Sequence, residues 1–438
     1  MKIAVLTLGC KTNQAESMNL EYALNSAGHQ IVEMPEKPDI CVINTCTVTA
    51  KSDYQSRQMI RKALNNNAKV IVTGCYAELN KDFLKNTYND ITVVENRDKS
   101  NIINQIIQNI SRNAEKLIDN TIVPLLHHSS ALSRHRPIVK VQDGCNYSCS
   151  YCAIRIARGR SKSVPVEDVI NQIKHYESMG YNEVVLTGIH LGTYGLDLKS
   201  EKSLSILLKN ILINTKIPRI RLSSLEIREI NEELLELIAE DRICKHLHIP
   251  LQSGDDNILK LMNRMYSSGD FILGVEKILK RLPDTSIGTD VIVGFPGEGE
   301  SEFKNTEQLI ISIPFSYLHV FPYSKRPKTK AIELPGEVSE PLKKERAAAL
   351  RRIGMGKKAD YIKKSIGKTL NAVIENRGEE GLLGTTGNYI KILIEDEKNL
   401  TEGMLVDVHV SGYKNNLAFG MPVKNMQVAD KQLFLACP

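Results

Sequence analysis

The stretch PIVKVQDGCNYSCSYCAI, residues 137–154, places three cysteines directly after a short apolar strand pattern. Cys145, Cys149 and Cys152 lie within eight residues, so their thiolates can bind one metal centre from a single loop. Soft thiolate ligands select zinc or an iron–sulfur cluster. Three cysteines in one loop favour an iron–sulfur cluster with three protein ligands. The fourth iron of such a cluster stays open to another molecule.

Zinc is the alternative for this loop. Structural zinc requires four ligands in a closed shell, and no fourth Cys or His lies nearby in the sequence. A remote His190 or His248 could complete such a shell, so spacing alone leaves zinc open.

The same loop opens a series of alternating strand and helix patterns. Candidate strands are PIVKVQ, NEVVLTG, RIRLSSLE, KHLHIPLQ, TSIGTDVIVGF and FSYLHVFPY. Helical patterns such as VEDVINQIKHYESMG separate most of them. Six such units exceed a small open fold and fall short of a closed eight-stranded barrel. The series therefore predicts a partial (β/α)6 barrel.

The first third of the chain has a similar alternation. Its strand patterns are KIAVLTLG (2–9), DICVINT (39–45), KVIVTG (69–74) and DITVVEN (90–96). Strands and helices at this interval predict parallel βαβ units, and hence an open parallel α/β sheet.

Cys10, Cys46 and Cys75 each come at the end of one of the first three strands. A lone buried cysteine is usually a small hydrophobic residue. The carboxyl ends of parallel strands, however, share one edge of the sheet, where ligands bind. The three cysteines therefore predict a second metal site, although they lie up to 65 residues apart in the sequence.

The patterns divide the chain into three domains. We expect an α/β domain over 1–111, a linker over 112–136, and the partial barrel with a basic helical extension over 137–365. The remainder, 366–438, has several short strand patterns punctuated by glycine, which predict a small all-β barrel.

Charge and hydropathy indicate the compartment and the partners. No signal peptide follows Met1, and no stretch approaches the roughly 18 apolar residues of a membrane span, so we expect a cytoplasmic protein without a membrane partner. Residues 325–365 contain 13 Lys/Arg and 5 Asp/Glu, which suggests a polyanionic partner.

Two parts of the chain contain candidate contacts to nucleic acid. Four basic residues follow the cysteine loop and either contact phosphate or pair with carboxylates: Arg155, Arg158, Arg160 and Lys162. Residues 366–438 contain 7 Lys/Arg and 9 Asp/Glu, so base stacking on Tyr389 and Tyr413 is the expected mode there.

Several motifs together resemble the radical SAM methylthiotransferase family, over nearly the full chain. They are GCKTNQAES (9–17), NTC (44–46), TGC (73–75), QDGCNYSCSYCAI (142–154), ARGRSKSVP (157–165), LTGIHLGTYG (186–195), PLQSGDDNILKLMNRMY (250–266) and VGFPGE (293–298). The C-terminal region resembles the family's TRAM barrel, which binds RNA. GCKTNQ, GIHLGTYG and HVFPYS look most like the branch that acts on N6-threonylcarbamoyladenosine at position 37 of tRNA.

The resemblance implies two [4Fe–4S] clusters and S-adenosylmethionine (SAM) as cofactors. Cys145, Cys149 and Cys152 would ligate the SAM-cleaving cluster, and an auxiliary cluster would bind to Cys10, Cys46 and Cys75. Tyr151 would pack beside the adenine of SAM. Further SAM contacts are expected at Gly188, Gln252 and Gly294.

The implied reaction attaches a methylthio group to C2 of the adenine in the tRNA anticodon loop. SAM would act both as radical source and as methyl donor, and flavodoxin or ferredoxin would supply electrons. Within the family, isopentenyl-adenosine 37 of tRNA and an aspartate of a ribosomal protein are alternative substrates. A non-catalytic protein that binds zinc and RNA is the alternative of another class.

Overall fold

The computed structural model describes residues 1–99, 102, 106, 135–199, 203–395 and 399–423. Most of the predicted linker, and the chain after residue 423, lie outside the described residues. The domain limits therefore stay predictions. Strands and helices are numbered below in chain order over the described part.

Five parallel strands form the first sheet. They are β1 (Lys2–Thr7), β2 (Gln30–Ile31), β3 (Ile40–Thr45), β4 (Lys69–Gly74) and β5 (Ile91–Val93), with helices α1 (Lys11–Ser26), α2 (Ala50–Asn65), α3 (Cys75–Leu79) and α4 (Lys81–Thr87). The order in the sheet is β2-β1-β3-β4-β5, and all neighbours are parallel. The open parallel sheet is confirmed. The sequence did not reveal β2, because two residues are too few to show a strand pattern.

The second domain contains the predicted six-stranded series. Its strands are β6 (Ile138–Lys140), β7 (Gln142–Asp143), β8 (Lys162–Ser163), β9 (Glu183–Thr187), β10 (Arg219–Leu222), β11 (His246–His248), β12 (Ser286–Val293) and β13 (Tyr317–Pro322). Its helices are α5 (Ile154–Arg158), α6 (Val166–Ser178), α7 (Leu204–Asn214), α8 (Glu232–Ala239), α9 (Asp256–Leu261), α10 (Ser268–Arg281), α11 (Glu300–Ser312) and α12 (Glu340–Lys363).

Six of these strands form the wall of a partial barrel in chain order. They pair as two parallel sheets, β6-β9-β10 and β11-β12-β13. Ile220 joins the two sheets, because its N–H donates to Arg242 O at 2.7 Å and its carbonyl accepts from Cys244 N at 2.9 Å. The partial barrel predicted from the sequence is confirmed.

Helix α1 of the first domain lies on the concave face of this wall. Ala15 and Met18 pack against Ile138 of β6 and Val185 of β9. The next residues along these strands, such as Leu186, face the opposite side and join the main hydrophobic core with the surrounding helices. The first domain therefore covers the inside of the partial barrel.

The C-terminal domain is a closed barrel of five strands. They are β14 (Thr369–Gly378), β15 (Gly381–Thr386), β16 (Lys391–Ile394), β17 (Leu405–Lys414) and β18 (Leu417–Pro422). The order around the barrel is β14-β15-β16-β18-β17. The all-β prediction is confirmed, although β15 was missed because GLLGTT is rich in Gly and lacks β-branched apolar residues.

Two buried arginines attach this barrel to the amino-terminal end of the parallel wall. Arg219 of β10 donates to Asn371 O at 3.0 Å, and Arg221 donates to Thr386 O at 2.9 Å.

Over the part of the chain that the structure describes, no helix combines the length and apolar character that crossing a membrane requires.

Candidate metal centres and barrel interior

The parallel sheet brings Cys10, Cys46 and Cys75 to one edge. They follow β1, β3 and β4, which are adjacent strands, so their carboxyl ends are neighbours. The thiols are near enough for their charges to interact: after burial, the charges of Cys75 and Cys10 contribute to raising the pKa of Cys46 to about 11. The sequence predicted this convergence, and the structure has it.

Two glycines make the close approach of these cysteines possible. Gly9 has φ +101°, and a Cβ there would lie 2.7 Å from Cys46 Sγ. Gly74 has φ +98°, and a Cβ there would lie 2.3 Å from Thr45 O. Both positions combine left-handed backbone with a contact that no side chain tolerates, which explains Gly immediately before Cys10 and before Cys75.

Cys145, Cys149 and Cys152 lie on the loop after β7. Backbone hydrogen bonds hold the conformation of this loop: Cys145 N donates to Gly159 O and Cys152 N donates to Cys149 O, both at 3.1 Å. Gly144 has φ +68°, and a Cβ there would lie 2.1 Å from Arg160 O. The tight start of the loop therefore requires glycine.

Both sets of thiols suit a soft metal centre. Burial raises the pKa of Cys152 to about 11 and also raises the pKa values of Cys149 and Cys75. Buried thiols of this kind become thiolates when a metal coordinates them. Each set supplies three cysteines, the number that a [4Fe–4S] cluster with one open iron needs, although Cys10 is exposed and Cys145 half-buried.

Arg158 lies between the two cysteine sets, and the sequence left its role open. Its Nε donates to Cys75 Sγ at 3.2 Å, and its Nη1 donates to Glu16 at 2.7 Å and to Asp143 at 2.8 Å. Only 1% of its side chain is exposed. Phosphate contact is therefore wrong for Arg158, whereas Arg155 on the same helix is exposed.

His190, the remote zinc ligand considered from the sequence, lies beside the loop. Its Nδ1 is 3.3 Å from Cys145 Sγ, and its Nε2 is 2.5 Å from Glu229 Oε1. Although burial opposes it, hydrogen bonding with Cys145 and Glu229 raises the pKa of His190 to about 10. His248, the other remote candidate, belongs to a separate cluster on the inner wall.

The four predicted SAM-contact residues lie at the same end of the barrel as the loop. Tyr151 is on the loop itself, with its ring edge-on to Phe295 at 6.4 Å. Gly188 follows β9, and Gly294 follows β12. Gln252 has φ +67°, and its N–H donates to Asp290 O at 2.8 Å.

The structure supplies packing reasons for both glycines. A Cβ at Gly188 would lie 2.7 Å from Gln142 Oε1, and one at Gly294 would lie 2.3 Å from Lys343 Cγ. These contacts explain the glycines without SAM, so the roles of all four residues toward SAM stay predictions.

The inner wall of the barrel carries a polar cluster that sequence reasoning missed. Asp290 Oδ1 lies 3.1 Å from both His248 Nε2 and His319 Nδ1. Although burial would raise it, hydrogen bonds from the two imidazoles hold the pKa of Asp290 well below its usual range. The only available signal was the alternation of polar residues along HLH and YLHVF, which places them on one face of each strand.

The amino-terminal end of this wall contacts the C-terminal barrel through aromatic rings. Tyr389 stacks on His246 with ring centroids 4.1 Å apart, and its ring lies 5.5 Å from Tyr317. Arg221 lies over the same ring at 5.2 Å. Tyr389 therefore joins two domains, and its expected role as a stacking platform for RNA stays a prediction.

Lys11, the residue after Cys10, faces the same interior. Burial and the charges of Arg221 and Arg136 lower the pKa of Lys11 to about 8, and the charge of Glu183 opposes them. The three nearby arginines each pair with Glu183, whereas the Lys11 ammonium has no ion-pair partner among the described residues. Lys11 is therefore a cation without an ion-pair partner among the described residues, on the residue after Cys10, and its ammonium lies near Arg221, Arg136 and Glu183.

Comparison with known proteins identifies the family. Residues 139–310 match the Radical SAM superfamily, and residues 2–95 match the Uncharacterized protein family UPF0004. A protein of Aquifex aeolicus named threonylcarbamoyladenosine tRNA methylthiotransferase MtaB is 40% identical to this chain, over 93% of the chain and 100% of the relative. The chain belongs to the radical SAM methylthiotransferase family. It is thus an enzyme of the class that the sequence motifs predicted.

Two further relatives are named for different tRNA substrates. A Rickettsia prowazekii protein with the same name is 36% identical, over 93% of this chain and 94% of the relative. A tRNA-2-methylthio-N(6)-dimethylallyladenosine synthase of Syntrophus aciditrophicus is 31% identical, over 85% and 83%.

A solved structure supports the fold of this methylthiotransferase. The radical SAM methyltransferase TsrM of Kitasatospora setae, with cobalamin and a [4Fe–4S] cluster bound, superposes with a TM-score of 0.55. The match covers 75% of this chain and 73% of TsrM at 14% identity. SAM and an iron–sulfur cluster are the cofactors of the superfamily, and the predicted loop Cys145–Cys152 lies within the matched region.

Proposed function

We propose that this enzyme methylthiolates C2 of N6-threonylcarbamoyladenosine at position 37 of tRNA, with SAM as both radical source and methyl donor. The observation that carries the proposal is the 40% identity, over the full length of the Aquifex aeolicus relative, with a protein named for this substrate. The relative named for dimethylallyladenosine is less similar, at 31%.

In this proposal Cys145, Cys149 and Cys152 hold the SAM-binding cluster, and a second cluster lies at the sheet edge. When bound, the first cluster supplies one-electron reduction of SAM. The chain's own residues order the two centres: the loop glycines bring the thiols together, and Arg158 bridges the domains beside Cys75. Two centres on facing domains suit a reaction that needs both radical formation and a sulfur carrier.

Cys10, Cys46 and Cys75 are the proposed ligands of the auxiliary cluster. Tyr151 would pack against SAM from the cysteine loop, and the strand-end residues Gly188, Gln252 and Gly294 would line the same side.

The chemistry of the interior favours a substrate that carries a carboxylate. Threonylcarbamoyl has one, whereas isopentenyl is an uncharged hydrocarbon. Lys11 supplies a cation without a partner among the described residues, on the residue next to the auxiliary cysteine Cys10. An ammonium in partly buried surroundings gains most from an anionic ligand, because solvent screens the pair less.

Exposed cations near the cysteine loop suit the tRNA backbone. Arg155, Arg160 and Lys162 are exposed, and the phosphate backbone supplies most of the electrostatic affinity for such groups. On the basic helix α12, by contrast, Lys343 and Arg346 are buried, so only part of its positive charge can face RNA. A flavodoxin or ferredoxin is the proposed electron donor.

The proposal is tested by nucleoside mass spectrometry of tRNA from a deletion strain. We expect loss of the methylthio derivative of threonylcarbamoyladenosine, with the isopentenyl counterpart retained. Loss of the isopentenyl derivative instead would assign the rival tRNA substrate. Unchanged tRNA with an altered ribosomal protein would assign the protein substrate.

A further inference from the structure

Two arginines and a histidine place ring or guanidinium nitrogens against cysteine sulfurs of the two proposed cluster sites. The contacts are Arg158 Nε to Cys75 Sγ at 3.2 Å, Arg264 Nη1 to Cys149 Sγ at 3.3 Å, and His190 Nδ1 to Cys145 Sγ at 3.3 Å. One contact belongs to the auxiliary set of cysteines and two belong to the loop set. Each site therefore has at least one charged donor on a ligand atom.

A carboxylate holds each of these donors in place. The pairs are Arg158 with Glu16 and Asp143, Arg264 with Glu226, and His190 with Glu229. The donors are buried, with 1% of the Arg158 side chain, 4% of Arg264 and 7% of His190 exposed. A donor fixed on its far side by an acid keeps its N–H directed at the sulfur.

His190 has donor character because of what surrounds it. Its Nε2 faces the Glu229 carboxylate, and a sulfur bound to iron has no proton to offer, so the hydrogen between His190 and Cys145 belongs to Nδ1. The alternative role for His190 is that of a metal ligand. Removal of the ring should lower the iron content if His190 is a ligand and leave it unchanged if His190 is a donor.

Hydrogen bonds to ligand sulfurs tune the reduction potential of iron–sulfur clusters. Uptake of one electron, from an external reductant, takes a [4Fe–4S] cluster from the 2+ to the 1+ state and adds negative charge to its sulfurs. A charged N–H donor stabilises that added charge, because charge-assisted hydrogen bonds are roughly twice as strong as neutral ones. Loss of the donor therefore makes reduction harder.

We propose that Arg158, Arg264 and His190 are positioning residues that raise the reduction potentials of the two clusters, each acting only on the cluster whose cysteine it contacts. The inference rests on the proposed two-cluster function. It adds that Arg158 sets the potential of the auxiliary cluster, whereas Arg264 and His190 set that of the SAM-binding cluster.

The test uses two full-length backgrounds, each reconstituted with iron and sulfide. In the first, alanines replace Cys145, Cys149 and Cys152, so only the auxiliary site can bind a cluster. In the second, alanines replace the auxiliary set: Cys10, Cys46 and Cys75. Potentiometric titration followed by electron paramagnetic resonance measures the midpoint potential of each cluster alone, without any need for catalysis.

Arg158→Met should shift the auxiliary midpoint to more negative potential and leave the SAM-binding midpoint unchanged. Arg158→Lys, which keeps a charged donor, should restore part of the shift. Arg155→Met is the matched control on the same helix, because Arg155 is exposed and should alter neither potential. Arg264→Met and His190→Phe should each shift the midpoint potential of the SAM-binding cluster to more negative values and leave the auxiliary midpoint unchanged.

Normal iron content with unchanged midpoints in the Arg158 and Arg264 variants would overturn the inference. Loss of iron from the second background on His190→Phe would make His190 a ligand and overturn its assignment as a donor. Absence of iron from the first background, before any donor is changed, would instead refute the two-cluster proposal. The Arg264 and His190 arms would still test the inference in that case.

Discussion

Glu183 Oε1 lies 2.7 Å from Arg221 Nε, and neither side chain is exposed to solvent. The pair sits at the amino-terminal ends of β9 and β10, where Arg221 also donates to the carbonyl of Thr386 in the C-terminal barrel. Glu183 pairs with Arg219 and Arg136 as well. One buried carboxylate thus contacts three arginines at the junction of two domains, and Arg136 pairs with Glu375 as well.

Glu183→Gln should therefore destabilise the protein strongly. Removing one partner of a buried ion pair leaves charge uncompensated, at a cost of about 3–5 kcal/mol. The control is Glu233→Gln, because the exposed pair of Glu233 with Lys209 contributes less than about 1 kcal/mol. Denaturant unfolding of both apoproteins measures the difference. Equal stability of the two variants would contradict the structural role of Glu183.

The same carboxylate predicts a pH dependence of stability. Despite burial, which opposes the shift, Arg221 and Arg219 lower the pKa of Glu183 from 4.5 to about 2. A lowered pKa stabilises the fold above pH 4.5, and this contribution is lost as the pH falls toward 2. The loss is about 3 kcal/mol. Between pH 4.5 and 2, the free energy of unfolding of the apoprotein should fall by about 3 kcal/mol less in Glu183→Gln than in the wild type, because the other carboxylates titrate in both.

Gly144→Ala should abolish cluster binding at the loop. Both Gly144 and Gly159 have positive φ, +68° and +75°, which L side chains rarely adopt, so backbone strain is expected in both alanine variants. Only at Gly144 would the new Cβ also clash, 2.1 Å from Arg160 O, whereas nothing lies within 4 Å of a Cβ at Gly159. Iron analysis after reconstitution should show about half of the iron missing from Gly144→Ala. Equal iron in Gly159→Ala and Gly144→Ala would refute the steric argument.

Lys11→Met should weaken recognition of the threonylcarbamoyl carboxylate. We expect about tenfold weaker binding, which corresponds to about 1.4 kcal/mol, of an anticodon stem-loop that carries the modification. Lys11→Arg should retain most of the affinity. A methyl ester of the substrate removes the same charge, so the wild type should bind it about tenfold less well and Lys11→Met should bind acid and ester alike. A variant that still prefers the acid would exclude Lys11 as the counter-charge.

Sequence reasoning worked where one physical rule decided the outcome. The sequence predicted the convergence of Cys10, Cys46 and Cys75, because adjacent parallel strands end at one edge of a sheet. The six strands of the barrel were recognisable because each contains Val, Ile or Leu in a short segment, and helix patterns separate most of these segments.

Contacts between domains could not be predicted in the same way. Arg158 reaches Cys75 across 83 residues, and Tyr389 reaches His246 from another domain. Neither contact leaves a periodic signal, since the partners are set by how whole domains dock. A basic residue beside a cysteine loop and a tyrosine in a β-barrel each resemble RNA-binding groups until their neighbours are known.

In the proposed function, two three-cysteine centres together methylthiolate threonylcarbamoyladenosine. The most direct measurement incubates the reconstituted enzyme with SAM, a reductant and tRNA that carries threonylcarbamoyladenosine 37, followed by nucleoside mass spectrometry. The wild type, with about eight irons per chain, should form the methylthio nucleoside. Cys75→Ala should still cleave SAM to 5′-deoxyadenosine but leave the nucleoside unmodified. Methylthio product from Cys75→Ala, or conversion by the wild type of isopentenyl-adenosine tRNA alone, would contradict the claim.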